Sequence, residues 1–312
     1  MRLHFGVPDT TRGPTALTIG NFDGVHRGHQ AMLARLRAAG ERLGLPTAVM
    51  SFEPHPREFF RPQDAPARIT SLREKVELLA QEGVDDIYIC HFNAAFAGQS
   101  PQDFVSELLV RRLQTRWLLV GDDFRFGARR AGDAAMLHTE GQRLGFAVEE
   151  QGTVEDGDER ISSSLIREAL SAGQLERAAR LLGRPWHLSG HIGHGDKVGR
   201  SWGFPTANLW LRHRRVPVSG IFAGRLSDAA GRQHDGVASL GIRPSVHTGG
   251  VRLLEIFLFD FAGDLYGQRV RIELLHKFRD EQGFGDLDLL KAQIATDAAQ
   301  ARAYFASLNP VA

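Results

Sequence analysis

The segment at residues 17–33, LTIGNFDGVHRGHQAML, constrains the fold more than any other, because it holds a strand, a turn, a histidine pair and a helix start in immediate succession. Residues 16–19 read as a short buried strand, Gly20 and Gly24 punctuate a loop, and the chain from Gln30 onward reads as a helix. His26 and His29 fall at the loop-to-helix junction, where free backbone N–H groups and the positive end of the helix dipole converge. Two imidazoles added there make a site suited to phosphate, and Gly28 between them lets a triphosphate approach the backbone. Histidines so spaced also serve zinc, but zinc needs a third ligand close by. Asp23, the nearest candidate, sits in a compact GNFDG turn where Asp commonly bonds its own backbone. Position after the first strand of an α/β pattern, where ligands gather at carboxyl ends of strands, favours phosphate.

At 312 residues the chain has room for two domains, each with its own core. Its 38 Lys plus Arg against 37 Asp plus Glu leave a formal charge of +1, so no global field attracts nucleic acid or an anionic membrane. Any basic site has to be local. The single cysteine, Cys90, cannot form an intramolecular disulfide, and its setting IYICHF reads as a buried structural thiol. The opening residues MRLHFGVPDTTRGP lack the apolar core of a signal peptide, and no run reaches the roughly 18 apolar residues of a membrane span. A cytoplasmic protein with no nucleic-acid, membrane or protein partner is expected.

Through the first half, strand-like runs at 47–52, 86–91, 117–121 and 146–151 alternate with helical patterns, the rhythm of a doubly wound parallel sheet. Ser71 with Glu74 forms a capping box for a helix through Leu79, and Ser100-Pro101 opens another through Leu113. FEPHPREFF at 52–60 follows a strand end with Pro54, Pro56 and three phenylalanines. It reads either as a stiff lip on which a flat aromatic ligand stacks or as a plug over the core. VGDDFRFG at 120–127 repeats that plan: Asp122 and Asp123, level with the histidines, fit the ribose or adenine edge of a nucleotide, with surface solvation as the simpler fate. In RISSSLIREAL at 160–170, three serines flanked by Arg160 and Arg167 exceed what capping needs and make a second anion cradle.

A helix ends at Gly183 and Pro185 follows, which marks a junction between domains 1–183 and 184–312. Beyond it come strands without intervening helices, at 206–210, 221–226, 235–240, 253–259 and 269–275, the pattern of a small antiparallel barrel. Leu287, Leu290, Ile294, Ala298, Ala301, Phe305 and Leu308 keep one helical face apolar, so a terminal helix packs on it. His187, His191 and His194 have a spacing that belongs to a helix, which Gly190, Gly193 and Gly195 argue against. HGDKVGRSWGFPTANL reads instead as a glycine-rich loop placing Lys197 or Arg200 beside phosphates. The Thr206 hydroxyl and Asn208 amide follow as hard oxygen ligands suited to Mg²⁺ with ATP. Glu255, in the apolar run LLEIFLFDF, is either a carboxylate buried for a reason or an edge-strand surface acid.

Taken together these stretches resemble the bacterial bifunctional riboflavin kinase/FMN adenylyltransferase (FAD synthetase) family. GNFDGVHRGHQ is similar to its HxGH nucleotidyltransferase segment, RISSSLIREAL to ISSTxIR, and GRSWGFPTAN to GRxLGFPTAN, with Trp202 where an aliphatic residue is usual. GVASLGIRPSV is similar to GVANIGTRPTV but departs at Ser239, Ile242 and Ser245, and LLEIFLFDFAGDLYG restores the match. The resemblance implies an N-terminal doubly wound α/β nucleotidyltransferase domain and a C-terminal antiparallel β-barrel with a terminal helix. It implies phosphorylation of riboflavin to FMN with release of ADP, then adenylylation of FMN to FAD with release of pyrophosphate, both using ATP and Mg²⁺. Carried onto this sequence, it implies that His26 and His29 act with Gly20, Asn21, Phe22, Gly28, Asp123, Arg160, Ser163, Ser164 and Arg167 on the first nucleotide. Pro54, Pro56, Phe124, Phe126 and Arg243 are implied at the flavin, and Gly195, Lys197, Gly199 and Arg200 at the second nucleotide. Thr206 and Asn208 are implied at Mg²⁺, with Glu255 as catalytic base. A binding module with dead sites has no chemical need of His26, His29, Thr206, Asn208 and Glu255 together. An adenylyltransferase acting on pantetheine phosphate or nicotinamide mononucleotide has no use for the barrel.

Overall fold

Val, Ile and Leu dominate the strand runs of the first half, and near-continuous apolar runs are what a sheet buried on both faces demands. The computed structural model describes residues 1–11, 13–195, 202–211, 215–243 and 251–308, with the backbone alone at 243 and 251. They form two compact units, Met1–Pro66 with Thr70–Ser163, and Ala67–Ile69 with Ser164–Ala312. The first unit is built on β1 (Arg2–Phe5), β2 (Thr15–Ile19), β3 (Thr47–Glu53), β4 (Asp86–His91), β5 (Thr115–Gly121) and β6 (Ala147–Gln151). They lie in the order β1-β4-β3-β2-β5-β6, and every ladder is parallel.

Successive side chains of each strand alternate between the two faces. Ala16, Val49, Ile87 and Leu119 pack under the helix Arg27–Leu43, while Leu17, Met50, Leu118 and Val120 pack on the opposite side with Leu108 and Leu109. The strand order turns back at β2, with β3 and β4 extending one way and β5 and β6 the other. The loops leaving β2 and β5 therefore sit side by side at a topological switch point, the place where open α/β sheets hold ligands.

The Ser71–Glu74 capping box is present, and its helix runs Leu72–Gln81. Ser100 caps Pro101–Asp103, which continues as a π-type helix at Phe104–Arg112. The helix expected from Gln30 begins at Arg27, because His26 itself takes the N-cap position. The edge strand β1 has no legible apolar run, and long-range bonds hold it. Arg2 Nε and His4 Nε2 each lie 2.8 Å from the Asp86 carboxylate.

After a two-residue hairpin of β7 (Glu155–Asp156) and β8 (Glu159–Arg160), the second unit closes six antiparallel strands into a barrel. These are β9 (Trp186–Gly193), β10 (Thr206–Leu211), β11 (Gly220–Ser227), β12 (Gln233–Arg243), β13 (Val251–Leu258) and β14 (Arg269–Arg279), ordered β10-β13-β12-β11-β14-β9. Leu209, Leu240, Leu254, Ile256 and Phe222 are buried on the inner face. The opposite face of β11 and β12 takes the terminal helix Leu287–Leu308, whose Ala298 and Ala301 pack on Ile221 and Val237. The middle of that helix's apolar stripe is buried, but Leu287 and Leu308 at its ends are half exposed.

The helix Leu175–Leu182 ends at Gly183 in the left-handed conformation, as the sequence reads. It packs against β9 and β14 through Leu175, Ala178, Leu181 and Leu182, all buried. Each buried leucine is worth about 1.5–3 kcal/mol. A fragment of residues 164–312 is therefore expected to unfold cooperatively, and one of residues 184–312 at least about 10 °C lower, since 1 kcal/mol shifts a unit of this size by roughly 2–8 °C. Calorimetry of the two fragments checks this. Equal midpoints would show that the helix adds nothing to the barrel.

Candidate active sites

In the first unit the β2 strand ends at Ile19, and the chain turns through Phe22 (φ +48°), Gly24 (φ +87°) and Val25 (φ +40°) before entering the helix. Two non-glycine residues in the left-handed region mark a backbone held in place by its surroundings. The fastenings are visible. Gly20 N donates to the Met50 carbonyl, and Phe22 is fully buried. Thr70 donates to Asp23 Oδ1 from its backbone N at 2.9 Å and from its Oγ1 at 3.0 Å, while Gly24 N donates to Thr70 Oγ1. Asp23 thus bonds a residue 47 positions away, a long-range partner that the local reading of GNFDG does not supply. Ser163 Oγ, at the start of the helix Ser163–Ser171, donates to the Asp23 carbonyl at 2.9 Å.

His26 Nδ1 accepts from His29 N at 3.3 Å, so the neutral ring carries its proton on Nε2. The two imidazoles stack at 3.7 Å between centroids, and Phe22 lies 4.9 Å from the His29 ring. Phe22 is therefore a floor under His29, its ring shielded from solvent. Gly28 lies close against its neighbour. A Cβ there would meet the His26 ring at 3.1 Å, so the glycine makes room for the histidine.

Asp122 and Asp123 stand just beyond the carboxyl end of β5, and Arg160 pairs with them at 3.0 and 3.4 Å, all three well exposed. The structure thus joins two motifs read separately from sequence. Ser164 and Arg167 belong to the second unit, where Arg167 Nε donates to the Ala67 carbonyl at 2.7 Å.

Pro54 follows β3, and Pro56 opens the short helix Pro56–Phe60. Phe52, Phe96, Phe104, Phe126 and Phe124 form a continuous run of rings spaced 5.0 to 6.4 Å. Phe126 is buried in the core and Phe124 is only partly buried against it, while Phe60, at the end of the short helix, is 63% exposed. Cys90 is buried, and burial pushes its thiol up to about 12, which makes it the inert structural cysteine expected.

In the second unit one pleat row crosses three strands, pairing Asn208 with Glu255 and Glu255 with Ser239. Two residues along each strand the next row pairs Thr206 with Phe257 and Phe257 with Val237. The period of two therefore brings Thr206, Asn208 and Glu255 onto the same outer face of the barrel. They line a cavity of about 390 Å³, walled opposite by Leu290 and Ile294 of the terminal helix and by Arg279, Glu281 and Phe284. That volume falls in the roughly 300–1,000 Å³ range of small-molecule pockets. Glu255 is half-buried there, neither deep in the core nor a plain surface acid.

Asn208 is 5% exposed, and its Oδ1 has no hydrogen-bond partner among the described residues. Gly195 stands so close that a Cβ would meet the Asn208 amide at 2.7 Å. His187, His191 and His194 lie on or just after β9, and no group of three metal-binding side chains occurs among the described residues. Lys197, Gly199 and Arg200, and the side chain of Arg243, lie outside the described residues.

Sequence reasoning missed the far wall of this cavity. Arg279 Nε and Nη2 donate to Asp297 at 3.0 and 2.7 Å, and Gln293 adds a third bond to the same carboxylate. The signal was an acid inside the apolar stripe of the terminal helix.

Two family models match the chain, FAD synthetase over residues 9–165 and riboflavin kinase over 182–305. A bifunctional riboflavin kinase/FMN adenylyltransferase of Escherichia coli (strain K12) is 46% identical, covering 99% of this chain and all of the relative. The protein of that description in Haemophilus influenzae is 44% identical, covering 94% of each chain, and that in Pseudomonas fluorescens 47%, covering 92% and 91%. A crystal structure described as a macrolide-efflux protein from Streptococcus pneumoniae superposes with a TM-score of 0.82, at 29% identity and 95% coverage of both chains.

Proposed function

The chain belongs to the bifunctional riboflavin kinase/FMN adenylyltransferase family, and we propose that its two sites divide the work, the barrel cavity making FMN and the histidine site converting FMN to FAD. It is an ATP-dependent transferase of both activities. Among the described residues no helix is long and apolar enough to cross a membrane. An enzyme that spends two ATP per FAD works where ATP is made, and a cytoplasmic location is part of the proposal.

In the barrel, the Glu255 carboxylate accepts the proton of the ribityl 5′-hydroxyl as that oxygen bonds the γ-phosphorus and the bond to ADP breaks. Gly195, with Lys197, Gly199 and Arg200 on the same glycine-rich segment, takes the ATP phosphates. Arg243 is assigned to the flavin. The Thr206 hydroxyl and Asn208 Oδ1 would hold Mg²⁺, and the buried, unpartnered oxygen of Asn208 supports this assignment. The ion, when bound, neutralises charge on the transferring phosphoryl group.

At the histidine site the FMN phosphate is itself the nucleophile. It bonds the α-phosphorus of ATP as the bond to pyrophosphate breaks, so the protein supplies alignment and charge stabilisation. His26 and His29 donate to the developing charge, with Ser163 and Arg160 beside them and Asp123 at the nucleoside. Gly20, Asn21, Phe22 and Gly28 shape the loop. Pro54, Pro56 and Phe124, backed by Phe126, frame the flavin. Ser164 and Arg167 keep the phosphate role that the serine motif implies.

The row Asn208–Glu255–Ser239 in one cavity is the observation that carries the kinase assignment. Incubation with riboflavin, ATP and Mg²⁺, followed by chromatography, tests the whole reading: FMN is expected first and FAD after it. Riboflavin left unchanged would refute it. A narrower test is Gly195→Ala, which displaces the Asn208 amide and is expected to raise the Mg²⁺ concentration for half-maximal kinase rate at least about fivefold, the loss of roughly 1 kcal/mol. An unchanged Mg²⁺ dependence would remove Asn208 from the metal site.

A further inference from the structure

We propose that Lys75 is a positioning residue for adenylyl transfer, its buried ammonium fixing the turn at residues 21–24 through Ser51. The inference rests on the reading of the histidine site as the adenylyl-transfer site. Lys75 is 1% exposed, in the first turn of the helix Leu72–Gln81, and a fully buried lysine is rare unless something answers its charge. Its Nζ donates to Ser51 Oγ at 3.3 Å, and Ser51 Oγ donates to the Asn21 carbonyl at 3.1 Å.

The direction of that chain is fixed by chemistry. An ammonium has donors only, so Ser51 has to accept from it, and the serine proton is then committed to Asn21. Ser51 lies near the carboxyl end of β3, and Asn21 opens the turn whose Phe22 and Val25 hold left-handed conformations. Such conformations persist only where the surroundings over-determine them. Thr70 fastens the turn at Asp23 and Gly24, and Ser163 fastens it at the Asp23 carbonyl. Lys75 and Ser51 supply the fastening at its entrance. Without the ammonium, the Ser51 hydroxyl is free to rotate away from Asn21, and His26 and His29 lose their register.

Lysine and methionine have similar shapes, so Lys75→Met keeps the packing and removes the ammonium. Losing one member of a buried polar contact lowers stability in any case, and only a positioning lysine also lowers FAD turnover where the fold is intact. A purely structural lysine and a positioning one therefore predict different results. Full-length Lys75→Met, Ser51→Ala and the double variant are assayed for FMN-to-FAD turnover, for riboflavin-to-FMN turnover and for thermal midpoint. Lys75→Met is expected to lower kcat for FAD formation about 30-fold with KM for ATP changed less than about threefold, within the loss that a misplaced site incurs. Its kinase rate is expected to stay at the wild-type value, because phosphorylation is assigned to the other unit. Ser51→Ala is expected to lose a similar factor, and the double variant no more than either single, because both act on one contact. FAD turnover of Lys75→Met within threefold of wild type, additive losses, or joint loss of both activities with a lowered midpoint each overturns the inference. Should a variant lacking both histidines still make FAD, the underlying site assignment fails independently of Lys75.

Discussion

Glutamine in place of Glu255 is expected to lower kcat for riboflavin phosphorylation by roughly 10²-fold or more, the usual scale for a positioned base. The ribityl hydroxyl is a poor nucleophile at neutral pH, and the half-buried carboxylate in the Asn208–Glu255–Ser239 row faces the cavity where it would sit. Glutamine keeps the shape and removes the proton acceptor, so flavin binding changes little. FMN supplied directly still becomes FAD, because that step uses the other unit. Near-normal kinase turnover would reduce Glu255 to a structural acid and move the base elsewhere in the barrel.

Alanine at both His26 and His29 is expected to abolish FAD formation, a loss of at least about 10³-fold, since removing a single charge-stabilising donor commonly costs 10²–10³-fold. FMN formation from riboflavin continues. The fold is expected to survive, because the turn remains held by Thr70, Ser51 and Ser163. His26 also caps the helix, so a destabilisation of about 1 kcal/mol accompanies the change, the usual cost of a lost cap. FAD formation within about threefold of wild type, only about 0.7 kcal/mol of barrier, would contradict the assignment.

Much of this was legible in the residues because local rules agreed with one another. The strand at Asp86–His91, the Ser71 capping box and the helix end at Gly183 each follow from apolar period, side-chain capping and left-handed glycine. Thr206, Asn208 and Glu255 could be read as a group only through resemblance, since the register that aligns them joins strands far apart in sequence. What stayed hidden was held by long-range polar contacts. β1 rests on Asp86, the Asp23 carboxylate reaches Thr70, and Arg160 finds Asp122, none of which periodicity encodes. His26 as a helix cap escaped notice because imidazole is outside the usual set of capping side chains. The strand Trp186–Gly193 hid behind its glycines and histidines, yet the barrel closes through its pairing with β10.

The central claim is that one chain attacks ATP at two different phosphorus atoms in two different sites. It is tested most directly by giving the wild-type protein riboflavin, Mg²⁺ and ATP labelled at either the α- or the γ-phosphate, and separating FMN from FAD. The account predicts that γ-label enters FMN and persists in the FAD made from it, whereas α-label enters FAD and never FMN. Label from the α-phosphate in FMN, or FAD carrying none of it, would contradict the account.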